Sequence, residues 1–125
     1  MKLKIKNKKV LITGGLGMIG STIANKLVKL GAEVTLVDSV IKPYGANFFN
    51  VKDIENLIKI NISDIRDKES IKILVADKDV VINLAGQVSH NDSLQNPYLD
   101  ADINYIGHLN VLEALKNYNP KAKIL

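Results

Sequence analysis

Residues 10–20 read VLITGGLGMIG, and this stretch decides the fold of the chain. The apolar run 10–12 is typical of a buried parallel strand. It is followed by glycines at the spacing G-x-x-G-x-x-G and then by an apolar segment that can form a helix. A strand, a glycine turn and a helix start in this order indicate dinucleotide binding, whereas a glycine pattern alone would be a weak signal.

Each glycine of this stretch has an expected task. We expect Gly14 to permit a tight turn, Gly17 to let the backbone approach a pyrophosphate, and Gly20 to let the helix pack near the strand. The predicted helix begins at Met18, and Ile19 follows in its first turn. The free N–H groups of this turn and the positive end of the helix dipole would face the phosphates. The alternative is a glycine-rich turn that binds no ligand.

Length and composition bound the class of protein. The chain has 125 residues, which is enough for one domain, and it contains no cysteine. A disulfide framework and a thiolate metal site are therefore excluded, and the composition fits a cytoplasmic protein. The sequence contains neither the apolar core of a signal peptide nor a segment long and apolar enough to span a membrane.

The positive charge is concentrated at the start of the chain. The formal net charge is +4, and five of the 17 basic residues are lysines within residues 1–9, so 12 basic residues remain against 13 acidic ones. A lysine tail can bind nucleic acid or anionic lipid. We favour a basic N-terminal extension, solvated or at an edge, and no nucleic-acid partner, because a nucleic-acid-binding protein would carry its basic patch on the folded body.

Apolar runs and helical patterns alternate along the rest of the chain. This alternation predicts an α/β fold, a Rossmann-like doubly wound parallel sheet with strand order 3-2-1-4-5 and a ligand crevice at the carboxyl ends of strands one and four. In the connection after strand two, Phe48 and Phe49 are expected to anchor the chain. A polar loop is expected over 86–96. The predicted strands are 9–13, 33–37, 57–62, 79–84 and 121–125, and the predicted helices are 18–30, 67–76 and 97–118.

Acidic residues follow the second and third predicted strands. Asp38 lies 24 residues after Gly14, where a carboxylate can accept hydrogen bonds from both adenosine ribose hydroxyls and repel a 2′-phosphate; a turn aspartate is the alternative. Of Asp64 and Asp67, one is expected to cap the next helix. The other could meet the exocyclic amine of adenine while Ile65 packs on the ring.

Small and polar residues follow the fourth predicted strand. Ala85 and Gly86 would let the chain pass a nicotinamide ribose, or they only make the turn into the loop. The next residues, Gln87, Ser89 and His90, are candidates for substrate contact, although a solvated loop also explains His90. Ser89, His90 and Asp92 lie too close in sequence to form a nucleophilic triad.

Asn104 falls within the last predicted helix. A buried asparagine needs hydrogen-bonding partners. The side chain could tie the helix to the loop after strand four, or it could be an ordinary residue of the polar face.

Taken together, these pieces resemble the extended short-chain dehydrogenase/reductase family, and within it the NAD-dependent nucleotide-sugar epimerases and dehydratases. The run Ala-Gly-Gln-Val at 85–88 followed by Asp92-Ser93 is similar to the CDP-sugar 2-epimerase-like members. The resemblance covers nearly the whole chain. The matching pieces are 13–21, Asp38, 64–67, 83–88, Asn96-Pro97, Ile103-Asn104 and 110–114.

The resemblance implies tightly held NAD, a nucleotide-sugar substrate and a homodimer to which helix 97–118 contributes. It also implies a base that this chain lacks, a tyrosine phenolate within a Tyr-x-x-x-Lys motif on the helix after strand five. The implied cofactor residues are Gly14, Gly17, Gly20, Asp38, Asp64, Ile65, Leu84 and Ala85.

The tyrosines of the chain depart from the family pattern. Four residues beyond the four tyrosines stand Phe48, Asp102, Leu109 and Ala122, none of them a lysine. We therefore expect residues 10–125 to be a partial NAD-binding domain, cut within strand five, without catalytic residues and without activity. Two alternatives are a stand-alone NAD-binding sensor and a self-associating fragment with an empty site.

Overall fold

A computed structural model describes residues 4–42 and 44–125 of the chain. Five parallel strands form one sheet in the order β3-β2-β1-β4-β5, as the alternation of elements predicts. The central strand β1 is the apolar run that precedes the glycines. The strands are β1 (Lys9–Thr13), β2 (Glu33–Asp38), β3 (Lys59–Ile62), β4 (Val80–Asn83) and β5 (Lys123–Ile124).

Helices cover both faces of this sheet. On one face, α1 (Met18–Lys29) and the connection after β2 pack over Val10 and Ile12. On the other face, α2 (Lys68–Val75) and the last long helix pack over Leu11. Successive side chains of β1 thus enter opposite core layers, because side chains alternate across a strand. This accounts for the unbroken apolar run in the central strand.

The connection between β2 and β3 differs from the expectation. It contains two short 3₁₀ helices, Phe48–Val51 and Glu55–Leu57. The prediction that Phe48 and Phe49 anchor the chain is wrong, because both rings are more than half exposed. Val51 and Ile54 are buried against the core instead. The 3₁₀ turns point these two smaller side chains toward the core layer under α1. The amino-acid composition of the segment did not indicate that they, rather than the phenylalanines, would be buried.

The polar segment after β4 is not all loop. A short helix, α3 (His90–Gln95), lies where we expected irregular chain over 86–96. Its start is stabilised by Ser89, whose hydroxyl oxygen accepts a hydrogen bond from the Asp92 N–H at 3.2 Å. Serine at the N-cap and an acid in the first turn are helix-start signals that outweigh the polarity of this segment.

The predicted helix 97–118 is not one regular helix. It consists of α4 (Pro97–Ala101), a π-helical turn (Asp102–Gly107) and α5 (His108–Tyr118). A π turn holds an extra residue and often occurs at functional sites. Within it, Gly107 lies so close to Ile65 that an added Cβ would be 2.6 Å from the Ile65 Cδ1 atom. The prediction of a continuous α-helix is therefore wrong in its middle.

The described part of the lysine-rich segment lies at the amino ends of the central strands β2, β1 and β4. The Asn7 N–H donates to the Gly31 carbonyl at 2.8 Å, and the Glu33 N–H donates to the Lys8 carbonyl at 2.9 Å. The Lys8 ammonium and the Lys9 backbone N–H both reach the Asp79 carboxylate, at 3.0 and 2.8 Å. These contacts join the approach to β1 with the turn that precedes β4.

Candidate functional site

A cavity of about 380 Å³ opens at the carboxyl ends of β1, β2, β3 and β4. This is the edge where an open parallel sheet places its ligand. The structure brings together at this cavity every residue that the sequence suggested for a cofactor. Those residues are Gly14, Gly17, Met18, Ile19, Gly20, Asp38, Asp64, Ile65, Leu84, Ala85 and Gly86.

The glycine turn is built by close approach. Gly14 has a positive φ of +64°, a conformation that side chains disfavour, and an added Cβ would lie 2.9 Å from the Ala85 backbone. A Cβ on Gly20 would collide with the Gly14 carbonyl oxygen and lie 2.9 Å from the Gly15 Cα. The start of α1 therefore packs directly on the turn after β1.

The N-terminus of α1 faces the cavity without a capping side chain. Gly17 occupies the N-cap position, and the first turn holds no acidic residue. The Ser21 N–H donates to the Gly17 carbonyl at 3.0 Å. This is the first hydrogen bond within the helix. The N–H groups of the three residues before Ser21, which are Met18, Ile19 and Gly20, therefore have no acceptor within the helix. Such a helix end is suited to bind an anion.

Asp38 connects two of the walls of the cavity. Its Oδ2 atom accepts a hydrogen bond from the Leu16 N–H at 3.0 Å, and its Oδ1 atom accepts one from the Val40 N–H at 3.0 Å. Val40 has a φ of +52°, which is unusual for a β-branched residue, and this hydrogen bond helps to hold it there. A carboxylate has about four acceptor positions, so Asp38 retains acceptor capacity for a ligand.

The two acidic residues after β3 have separate tasks. Asp67 caps α2, accepting hydrogen bonds from the N–H groups of Glu69 and Ser70 at 3.1 and 3.4 Å. Asp64 lines the cavity and binds Arg66, with Nη2 to Oδ2 at 2.7 Å and Nε to Oδ1 at 3.0 Å. The hydrogen bond from the Arg66 guanidinium holds the pKa of Asp64 below its ordinary value. Asp64 is therefore a fixed carboxylate at the rim of the site.

A side-chain network that the sequence analysis missed joins the ends of β1 and β4. Thr13 is fully buried and donates its hydroxyl proton to Asn83 Oδ1 at 2.7 Å. The Thr13 Oγ1 atom accepts hydrogen bonds from the N–H groups of Leu84 and Ala85 at 3.0 and 3.1 Å. The only sign of this network in the sequence was that a polar residue, Thr13, stands directly before the glycines. This network fixes the backbone that forms one wall of the cavity.

Asn104 links the π turn to the loop after β4. Of the two alternatives for this residue, the link to that loop is therefore correct, and an ordinary residue of the polar face is not. Its Oδ1 atom accepts a hydrogen bond from the Gln87 N–H at 2.9 Å, and its Nδ2 atom donates to the Gln87 carbonyl at 2.8 Å. Nδ2 also donates to Asp100 at 3.0 Å. The pair with Gln87 resembles a strand pairing, and it holds Gly86 beside the cavity.

The three residues suggested for substrate contact lie next to the cavity but do not line it. Gln87 is buried, and its Nε2 atom donates to the Ser89 carbonyl at 3.0 Å. Ser89 caps α3, and His90 is exposed at the start of that helix. Gln87 and Ser89 thus have structural partners, whereas His90 faces solvent.

Tyr44 lines the cavity and was not among the suggested residues. Burial, together with the neighbouring Asp92 carboxylate, raises the pKa of its phenol, so the side chain is a neutral hydrogen-bonding group at neutral pH. Among the described residues that line the cavity, the charged side chains are Asp38 and Asp64, and none is a lysine or arginine. A bound phosphate would therefore depend on backbone N–H groups.

Among the described residues, neither a cluster of metal-ligating side chains nor a helix able to span a membrane is found. Across residues 4–42 and 44–125, histidine, aspartate and glutamate side chains form no group of three or more that could hold a metal ion. Over the same ranges, each helix is too short or too polar to cross a membrane.

Comparisons with known proteins agree with this architecture. The family model of GDP-mannose 4,6 dehydratase matches residues 11–125. The chain belongs to the GDP-mannose 4,6 dehydratase family. It is 33% identical over 120 residues to the CDP-paratose 2-epimerase of Salmonella typhi, covering 94% of this chain and 35% of that protein. It is 30% identical over 112 residues to the dTDP-glucose 4,6-dehydratase of Mycobacterium tuberculosis, covering 88% and 33%.

A solved structure shares the fold of this chain. The Bordetella bronchiseptica enzyme WbmF, crystallised in complex with NAD+ and UDP, superposes with a TM-score of 0.84 at 28% identity, covering 97% of this chain and 35% of that chain. The resemblance to nucleotide-sugar epimerases and dehydratases is thereby confirmed. The chain spans about a third of the length of these curated relatives.

The ion pair at the rim of the site makes stability depend on pH. Because Arg66 lowers the pKa of Asp64 in the folded chain, the pair stabilises the fold above the ordinary aspartate pKa of about 3.9, and this contribution is lost as pH falls through the lowered value. We predict that Arg66→Met is less stable than the unmodified chain at neutral pH and that the difference shrinks below about pH 4. Urea unfolding of both chains, from neutral pH to below about pH 4, measures this difference in the free energy of unfolding.

Lys121→Met is the matched control, because it removes one positive charge at an exposed position. Its stability difference from the unmodified chain should vary less with pH than that of Arg66→Met. A difference for Arg66→Met that stays constant through the acid range would contradict the assigned pairing.

Proposed function

We propose that this chain binds NAD, with the pyrophosphate at the N-terminus of α1. The observation that carries the proposal is that the uncapped start of α1, the Asp38 carboxylate and the end of β4 line the same cavity. The residues fit a dinucleotide: glycines leave the turn open where a Cβ would fill it, and unpaired N–H groups face the cavity. The WbmF structure, solved with NAD+ and UDP, supports the choice of cofactor.

The adenosine half is assigned to the β2–β3 side of the cavity. Asp38 has spare acceptor positions for the ribose hydroxyls, and its charge disfavours a 2′-phosphate. Asp64 and Ile65 lie beside it, where a base would be placed. Since no lysine or arginine lines the described cavity, a 2′-phosphate would meet two carboxylates and no cation.

We predict that the chain binds NAD at least about tenfold more tightly than NADP. In Asp38→Asn this preference should fall severalfold, because the amide loses the charge that repels the 2′-phosphate and one of the two acceptor oxygens. Titration calorimetry with both dinucleotides measures the ratio. Asp53→Asn, at an exposed position away from the cavity, is the control. NADP binding as tight as NAD binding in the unmodified chain would refute the ribose role.

The nicotinamide half is assigned to the β4 side, over Leu84, Ala85 and Gly86. When bound there, NAD supplies a reversible hydride acceptor for a sugar carbon. Thr13 and Asn104 hold the backbone of this wall. Gln87, Ser89 and His90 lie next to the wall and are proposed to face a nucleotide-sugar substrate. In this proposal the whole protein is a nucleotide-sugar epimerase or dehydratase, and its cytoplasmic location stays a prediction.

We expect the 125-residue chain to bind NAD without turning over a nucleotide sugar. None of its tyrosines is followed by lysine four residues later, so a phenolate base with a lysine partner is missing from these residues. Incubation with NAD and UDP-glucose, followed by chromatography of the sugar products, measures turnover. Conversion above the level of a Gly20→Val control, whose side chain would collide with the glycine turn, would overturn this part of the proposal.

A homodimer through 97–118 is also part of the proposal. The outer side of this segment exposes apolar side chains, including Tyr105, Leu109 and Leu112 at 68%, 42% and 48%. We predict that sedimentation velocity shows a dimer and that Leu109→Ser with Leu112→Ser shifts it to monomer, because exposed apolar surface favours association. Ile73→Ser, on α2, is the control. A monomer at every concentration would exclude this interface.

A further inference from the structure

The Thr13 hydroxyl has a single proton, and its partners determine where that proton goes. Its oxygen already accepts hydrogen bonds from the Leu84 and Ala85 N–H groups, at 3.0 and 3.1 Å. The remaining partner is Asn83 Oδ1 at 2.7 Å. Since N–H groups cannot accept a proton, the hydroxyl must donate to Asn83.

This donation fixes the orientation of the Asn83 amide. With the amide turned over, its NH₂ group would face Thr13, and the hydroxyl proton would have no acceptor. Thr13 is fully buried, so such an unpaired donor would be costly. The Asn83 Oδ1 atom therefore points to Thr13 and Nδ2 points to α5.

The Nδ2 group meets His108 at the start of α5. Its distance to His108 Nδ1 is 2.7 Å, which is a hydrogen bond between half-buried side chains. Because Nδ2 can only donate, Nδ1 must accept, and an imidazole that accepts at Nδ1 is neutral and carries its proton on Nε2. One chain of donors and acceptors thus runs from the cavity wall through Thr13 and Asn83 to this histidine.

We propose that His108 is a positioning residue of the site: as a neutral imidazole protonated at Nε2, it fixes the Asn83 amide and through Thr13 the Leu84–Ala85 wall. Its consequence for NAD rests on the proposed function. His108 does not line the cavity, so its effect on a bound dinucleotide passes through the hydrogen-bond chain. Neither the glycine motif nor the acidic residues after the strands point to this residue.

The tautomer of His108 tests the geometry without any cofactor. Long-range ¹H–¹⁵N spectra of the chain at about pH 8, above the ordinary histidine range, distinguish an unprotonated Nδ1 from a protonated one. We expect His108 to show a single Nε2–H form, assigned by the loss of its signals in His108→Asn. The exposed His90 is the internal reference. A protonated Nδ1 in His108 would overturn the proposal.

Thr13→Val provides a second test with little change in volume. Without the hydroxyl proton the Asn83 amide can turn over, so the His108 spectrum should move toward a protonated Nδ1. A spectrum that is unchanged in this variant would show that Thr13 does not set the orientation, and this would contradict the chain of inference.

NAD titration of two His108 variants tests the consequence for the site. His108→Leu removes the acceptor and should weaken NAD binding about fivefold, the effect of one unpaired, partly buried donor. His108→Asn places an amide oxygen near the Nδ1 position and should restore binding to within about twofold of the unmodified chain. Equal affinities of all three chains would overturn the positioning role.

The two experiments separate the two proposals. If the unmodified chain binds no NAD, the proposed function fails, and the tautomer spectra alone decide whether His108 orients Asn83. If NAD binds but His108 carries its proton on Nδ1, the proposed function stands and the positioning role is refuted.

Discussion

The close packing of α1 on the turn after β1 is the constraint on which the rest of the structure depends. Gly14 turns the chain with a positive φ, and Gly20 lets the helix approach within the space that a Cβ would occupy. This packing aims the bare N-terminus of α1 at the carboxyl edge of the sheet. Parallel strands then bring the ends of β2, β3 and β4 to the same edge, so that residues far apart in sequence share one cavity.

Asparagine side chains hold two of the loops that border the site. Asn104, in the π turn, pairs with the Gln87 backbone after β4. Asn110, in α5, donates to the carbonyls of Ile65 and Arg66 after β3, at 3.2 Å each. The two amides therefore hold different loops, Asn104 the one after β4 and Asn110 the one after β3.

Much of this arrangement follows from patterns of short range. The apolar run, the glycine spacing and the acid after the second strand predict the sheet order and the edge that carries the site, because each reports a local constraint of the backbone. Tyr44 and Thr13 could not be assigned in this way. Tyr44 reaches the cavity across a long connection, and the partners of Thr13 lie about 70 residues away in sequence. The π turn was missed because apolar periodicity continues through it.

The central claim is that the bare start of α1 binds the pyrophosphate of NAD while Asp38 binds the adenosine ribose. The most direct measurement is a crystal structure of the chain grown with NAD. The account predicts phosphate oxygens within hydrogen-bond distance of the Met18 and Ile19 N–H groups and ribose hydroxyls on Asp38. Electron density for NAD elsewhere on the molecule, or an empty cavity at saturating NAD, would contradict it.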